Sequence, residues 1–245
     1  MIKEIFGVKF INGSYKIAFS RLLKKQFMVV PSGPGLSVID KDVRYYNALK
    51  SADFAIPDSG FMIILLRLFF NIRIKKLSGP KFLRKFLNED VIRKPNKLFL
   101  IDPNRKESLL NKEYLNRIGV PISSEYQYIA PYYGGNKIND KDLIDKLNTL
   151  QEKPEFILVN LGGGIQEPLG LYIKDNITYR TAIICTGAAI AFQTGSQAKI
   201  PDWVDAIYLG WFARIIQNPT LFFMRFLKAF RLVYVFYLCK RNKIK

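Results

Sequence analysis

The sequence predicts an α/β protein: a Rossmann-like, mostly parallel sheet with helices on both faces, followed by a basic amphipathic helical appendage. Three observations carry this reading. Apolar runs of strand length alternate with segments of helical periodicity; the runs are apolar throughout rather than at every second residue; and the composition changes near residue 198. Continuous apolar strands are buried on both faces, as parallel strands between helices are. Residues 1–198 are read as the body and 199–245 as a membrane-associating appendage.

Taken in order, "FMVVPSGPG" (27–35) is a strand running into a turn, because two prolines and two glycines cannot continue a ladder. "SVIDKDVRYYNALKSA" carries Val43, Tyr46 and Leu49 near helical spacing, and "DFAI" is a short strand that delivers Asp58 after Pro57. "GFMIILLRLFF" reads as a buried helix, and "GPKFLRKFLNEDVI" (79–92) as another, opened by Gly79 and Pro80. The alternation then repeats: strand "NKLFLID", helix "ESLLNKEYLNRIG" ending at Gly119, extended "YQYIAPYYGG", capped helix "NDKDLIDKLNTLQEK", strand "EFILVNLGGG", helix "QEPLGLYIKDN", and strand and turn "TAIICTGAAIAFQTG".

Composition narrows the chemistry. The 245 residues contain no histidine, which removes Ser-His-Asp and Cys-His machinery and every His-based zinc site. Acid–base work falls to Asp, Glu, Tyr, Lys or Cys. Cys185 and Cys239 lie far apart and suggest no disulfide scaffold, so a reducing compartment is expected. The amino-terminal stretch mixes charges through its apolar positions and lacks a signal-peptide core, and no apolar run is long enough to span a bilayer.

The net charge of +18 calls for an anionic partner. Asp205 is the last acid, and all later charges, from Arg214 through Arg225, Lys228 and Arg231 to Lys245, are positive. Phe222, Phe226, Phe230, Val233 and Tyr237 recur at helical spacing among them. This describes either a helix in an anionic membrane interface or a helix packed on the body with solvated cations. Eight consecutive apolar residues, Leu232 to Cys239, exceed one buried stripe and favour the membrane. Nucleic acid is disfavoured, because the aromatics share their stripe with Leu and Val, which suits lipid better than bases.

Three motifs can carry chemistry. Asp58 stands at a strand-to-helix junction, where it is either a helix N-cap or a catalytic carboxylate. "NLGGGIQEP" (160–168) empties a buried strand into Gly162, Gly163 and Gly164, whose backbone N–H groups can approach a phosphate closely. It is neither a dinucleotide fingerprint nor a Walker loop. Asp40 and Asp42 form an Asp-x-Asp that either holds a divalent cation or, like the same pattern at Asp140 and Asp142, starts a helix.

In chain order, "Ala52-Asp53 … Pro57-Asp58-x-Gly60", "LSGPKFLRKFL" (77–87), "PEFILVNLGGGIQE" (154–167), "TGAAIAFQTGSQAKIPDW" (186–203) and "LGWFARIIQNP" (209–219) resemble the WecG/TagA/CpsF glycosyltransferases. The resemblance implies an inverting, metal-independent transferase with no cofactor. It would move a sugar, often of N-acetylmannosamine type, from a nucleoside-diphosphate-sugar to a polyprenyl-diphosphate-linked acceptor, peripherally at the cytoplasmic face of the bacterial inner membrane, in surface polysaccharide biosynthesis. Asp58 then falls on the proposed general base, Gln166 and Glu167 on the donor pocket beside the three glycines, and Arg214 and Arg225 on the positions that neutralise the leaving diphosphate. Self-association is also implied, with no interface readable in this chain.

The sequence departs from the family pattern around the expected pocket. Asp-Gly is Asp58-Ser59; Thr-x-Asn is replaced by "PSGPG", leaving Ser32 as the hydroxyl; the glycine turn after the second-half strand is "IDPN" (101–104). Arg-Ala-Pro reads Lys199-Ile200-Pro201, a Glu is Gly210, and two arginines are Thr220 and Leu221. Either the donor or acceptor differs, or the chain is a catalytically degenerate member serving as a subunit of an assembly complex. The joint survival of Asp58, Gln166 and Glu167 favours the transferase.

Overall fold

The computed structural model describes residues 2–134, 138–196, 204, 212, 215–216 and 219–240. Its centre is an eight-stranded sheet built from β1 (Ile2–Ile5), β2 (Val8–Ile11), β3 (Phe27–Val29), β4 (Phe54–Ala55), β5 (Leu98–Asp102), β6 (Gln127–Ile129), β7 (Phe156–Val159) and β8 (Ala182–Cys185), in the spatial order β1-β2-β4-β3-β8-β7-β5-β6. Among the described strands the β1–β2 pair alone is antiparallel, and the other pairings are parallel. The α/β class and mostly parallel sheet expected from the sequence are what the chain adopts.

The hairpin that begins the sheet was not expected. Its two-residue turn, Phe6-Gly7, has positive φ at both positions (54° and 69°), the geometry whose twist matches two antiparallel strands. Phe6 holds this uncommon conformation with its ring buried edge-on against Phe236, 4.9 Å between centroids.

Alternate residues of each central strand feed two cores. Phe27, Val29, Phe99, Ile101, Ile157, Val159, Ile183 and Cys185 face one side, with α2 (Gly33–Leu36), α3 (Val43–Ser51), α4 (Gly60–Phe70), α7 (Lys141–Thr149) and α8 (Gln166–Asn176). Met28, Val30, Leu98, Leu100, Phe156, Leu158, Ala182 and Ile184 face the other, with α1 (Tyr15–Leu23), α5 (Gly79–Phe86) and α6 (Arg105–Arg117). Burial on both faces is why these strands lack alternation.

A short helix α9 (Ala191–Thr194) follows β8, and the last described elements are α10 (Pro219–Ala229) and α11 (Arg231–Lys240). Leu232, Val235 and Phe236, at helical spacing, join the first core, so α11 is docked on the body. Val233, Tyr234 and Tyr237 on its other side are exposed, which is why its apolar run exceeds one stripe. Arg231, read from sequence as one of the cations turned toward headgroups, instead forms an ion pair with Asp40, because α11 packs on the body where that carboxylate lies. The side chains of Phe222 and Phe226 lie outside the described residues.

Helix α8 lies unusually close to the sheet. A Cβ on Gly170 would sit 2.7 Å from a Phe27 ring carbon and 2.8 Å from Cys185 Sγ. Gly170→Ala is therefore expected to destabilise the fold by about 1–3 kcal/mol despite its better helix propensity. A urea titration that returns wild-type stability would contradict the close approach.

Candidate active site

The parallel register aligns the strand tips. Ala55 pairs with Val29, Val29 with Cys185, Cys185 with Val159, and Val159 with Ile101, one row across five strands. Within three residues of that row come Asp58, Ser32, Gly187, Gly162 and Asp102. From β4 to β7 this is three strand spacings, roughly 14 Å. The carboxyl edge of a parallel sheet is where α/β proteins bind ligands.

Two loops meet first. Ser32 Oγ accepts from Gly35 N–H at 3.2 Å and caps α2, and Ser59 Oγ accepts from Met62 N–H at 3.2 Å and caps α4. A Cβ on Gly33 would lie 2.9 Å from Ser59 Oγ, so the β3 and β4 loops touch only because residue 33 is glycine. Since Ser59 caps α4, Asp58 is not the cap of the helix it precedes. Its Oδ1 accepts instead from Gly79 N–H at 2.8 Å, at the start of α5, where Ser78 offers no side-chain bond. Leu77 N–H donates to the Pro57 carbonyl alongside. Asp58 is half-buried, and its Oδ2 makes no hydrogen bond among the described residues.

The glycine loop faces them. A Cβ on Gly163 would stand 4.0 Å from Ser32 Oγ, while one on Gly162 or Gly164 would meet open space. Gly164 has φ +87°, a left-handed conformation suited to glycine. Its N–H is already taken by Glu167 Oε2 at 2.8 Å. The exposed N–H groups of Gly162 and Gly163 enter no hydrogen bond among the described residues and are the donors left for a ligand.

Gln166 and Glu167 lie beneath this loop rather than in the open crevice, only 2% and 1% exposed. Gln166 Oε1 accepts from Gly187 N–H at 2.6 Å, and its Nε2 donates to Glu167 Oε1 at 3.0 Å. The pair thus joins the β7 and β8 loops. Burial pushes the Glu167 carboxyl up to about 7, against the opposing pull of the Gly164 and Gln166 donors. The sequence reading places both residues at a donor pocket; in the structure they are buried and brace the glycine loop and the β8 loop.

A second buried cluster escaped the sequence reading. Asp102 Oδ1, at the tip of β5, accepts from Asn111 Nδ2 at 2.7 Å and Asn160 Nδ2 at 2.8 Å. Burial raises the Asp102 carboxyl against the opposing pull of Asn160, Asn111 and Ser108, and the two asparagine Oδ1 atoms have no partner among the described residues. It ties β5, α6 and the residue before the glycine loop together. The available signal was an acid closing an apolar strand, as at Asp58. Gly79 and Gly187 were also missed as site residues, although each opens the segment that follows.

Other expected positions fall elsewhere. Asp42 Oδ1 caps α3 through Tyr45 N–H at 3.0 Å, and Asp40 is held by Arg231, so each carboxylate of this Asp-x-Asp has a protein partner. Asp140 caps α7 and accepts from Tyr128 and Tyr133. Arg214, Lys199, Ile200, Pro201 and Gly210 lie outside the described residues; Arg225 sits in α10, its side chain likewise outside them. A groove of about 710 Å³ between α3, α7 and α8, with Arg44, Lys141 and Tyr172 among its walls, opens one residue beyond Glu167, at Pro168.

Glycine amides left without a partner among the described residues, beside a half-buried acid at the carboxyl edge of the sheet, suit transfer of a group from a phosphate-bearing donor. A family model, the glycosyl transferase WecG/TagA/CpsF family, matches residues 3–245. The chain belongs to the WecG/TagA/CpsF glycosyltransferases. It is therefore a glycosyltransferase of the type that makes lipid-linked polysaccharide precursors. Among curated proteins it is similar to the N-acetylglucosaminyldiphosphoundecaprenol N-acetyl-beta-D-mannosaminyltransferase of Bacillus subtilis (strain 168), 23% identical over 226 residues that cover 89% of this chain and 84% of the relative.

Proposed function

We propose that the protein transfers a sugar, an N-acetylhexosamine such as N-acetylmannosamine, from a nucleoside-diphosphate-sugar to a polyprenyl-diphosphate-linked acceptor, with inversion. The observation that carries this is Asp58: one oxygen fixed by the Gly79 N–H, the other uncommitted at the edge where Ser32 and the glycine loop converge. The acceptor hydroxyl attacks the anomeric carbon as its proton passes to Asp58. The C–O bond to the diphosphate breaks, and the leaving oxygen keeps the electron pair.

The developing charge on the diphosphate needs donors already in place. Gly162 and Gly163 N–H groups and the N-terminus of α8 supply them, with Arg214 and Arg225 assigned the same task from the appendage. The Gln166–Glu167 pair fixes the loop so that these amides need not reorganise. An inverted anomeric centre in the product, read from its one-bond C–H coupling, tests the mechanism; retention would remove the direct displacement.

The segment beyond residue 198 is assigned to the membrane. No described helix is long and apolar enough to cross a bilayer. Phe223, Met224 and Leu227 on α10 are exposed beside Lys228, and Ile64 and Leu68 on α4 are exposed too, Leu68 at 73%. This combination suits peripheral contact with anionic lipid at the cytoplasmic face. Leu227→Asp together with Phe223→Asp is expected to lower binding to anionic vesicles at least about tenfold in co-sedimentation, since each removes apolar burial and adds repulsion. Unchanged binding would assign the patch to another contact, such as a second copy of the chain.

A further inference from the structure

The junction of α10 and α11 makes two consecutive contacts to the two loops of the site. Phe230 packs its ring against Phe61, 5.4 Å between centroids at 73°. Phe61 is the second residue of α4, two beyond the Ser59 cap and three beyond Asp58. Arg231 donates through Nη1 to Asp40 Oδ1 and through Nη2 to Asp40 Oδ2, both at 2.6 Å, and through Nη1 to the Ser37 carbonyl. Ser37 closes α2, the four-residue turn that Ser32 opens. Because the two loops touch at Gly33 and Ser59, holding both from one point fixes Ser32 against Asp58.

We propose that Phe230 and Arg231 form a latch through which the carboxyl-terminal helices set the geometry of the Ser32 and Asp58 loops. They are positioning residues, which act through Phe61, Ser37 and Asp40. The fork-to-fork geometry is directional, which suits alignment. The pair is also partly open to water, 25% and 18% exposed, so it adds little to global stability. Its removal is felt as misplacement of the loops, and small misplacements at a reacting centre cost one to two powers of ten in rate. The inference rests on the transferase reading and adds residues to it.

The test uses the full chain with a polyprenyl-diphosphate-sugar acceptor in vesicles of anionic phospholipid. Arg231→Ala is expected to lower kcat roughly 10- to 100-fold, with donor KM and vesicle binding within about twofold and melting almost unchanged. Amide hydrogen exchange over residues 32–42 is expected to rise. Exchanging the charges, Asp40→Arg with Arg231→Asp, is expected to restore part of kcat; it cannot restore all, because the Ser37 carbonyl loses its donor. An unchanged kcat, or a loss that follows weakened vesicle binding, would overturn the latch. If the wild-type chain shows no turnover, the transferase reading fails separately. Exchange over residues 32–42 then decides the latch, a rise supporting it and no change overturning it.

Discussion

Asp58→Asn is expected to lower acceptor-dependent turnover by about 10²–10⁴-fold while leaving the fold intact. The substitution separates the two roles open to this residue. Asparagine keeps a carbonyl oxygen that can accept from Gly79 N–H, so the tie between the β4 loop and α5 survives. What it loses is basicity at the oxygen facing the crevice. If Asp58 served only as the borrowed cap of α5, the amide would serve nearly as well and turnover would persist. Asp58→Ala gives the complementary result, with turnover lost and stability lowered by about 1 kcal/mol as the first amide of α5 loses its acceptor. Steady-state release of nucleoside diphosphate and thermal melts on the three proteins check both statements.

Glu167→Gln is expected to alter stability in a pH-dependent way and to slow the enzyme. Burial holds the native carboxyl at about 7, above the 4.5 of the exposed acid. Between these values the native state binds more protons than the unfolded chain, so stability falls as pH rises through the window. The total is on the order of 3 kcal/mol, all of it retained below pH 4.5 and lost above pH 7. Glutamine does not titrate, so this slope disappears. Both Glu167 oxygens accept, from Gly164 N–H and Gln166 Nε2. An amide in their place presents NH₂ to one of those donors. Near pH 5 the variant is thus expected to be less stable than wild type by about 1–3 kcal/mol, and the difference to shrink toward pH 8. Urea unfolding from pH 5 to 8 measures it. Parallel wild-type and variant curves would show that Glu167 does not titrate in this range. The glycine amides lose their prop in the same variant, so kcat is expected to fall with donor binding.

Much of this was legible in the sequence, for identifiable reasons. Strands such as "FILV" and "AIIC" are apolar on both faces, and the turns that follow are glycine or proline, so strand, edge and loop were readable together. The β1–β2 hairpin was not, because Phe6-Gly7 lacks the Asn-Gly or Asp-Gly signature of its turn. Helix α5 stops at Phe86 rather than running on toward residue 92, as Asn88 turns its amide onto the Arg84 carbonyl and competes with the helix. At the site, Asp58 stood out by position, but its true partner, Gly79, is 21 residues away. The Gly164–Glu167 tie spans only three residues, yet the sequence reading gives Glu167 as a donor contact and not as the brace of its own loop. The Asp102 cluster was not, because Asn160 reaches Asp102 only once β7 pairs with β5. Periodicity alone makes Arg231 a lipid-facing cation, because it cannot show that Asp40, far back in the chain, lies against it.

The most direct test of the central claim is release of nucleoside diphosphate from a panel of UDP- and GDP-sugars, with and without a polyprenyl-diphosphate-sugar acceptor in anionic vesicles, for wild type and Asp58→Asn side by side. Acceptor-dependent release from one donor that collapses in the variant is the predicted result. Nucleotide binding without turnover, equal in both proteins, would contradict it and leave a non-catalytic membrane subunit of a polysaccharide assembly in its place.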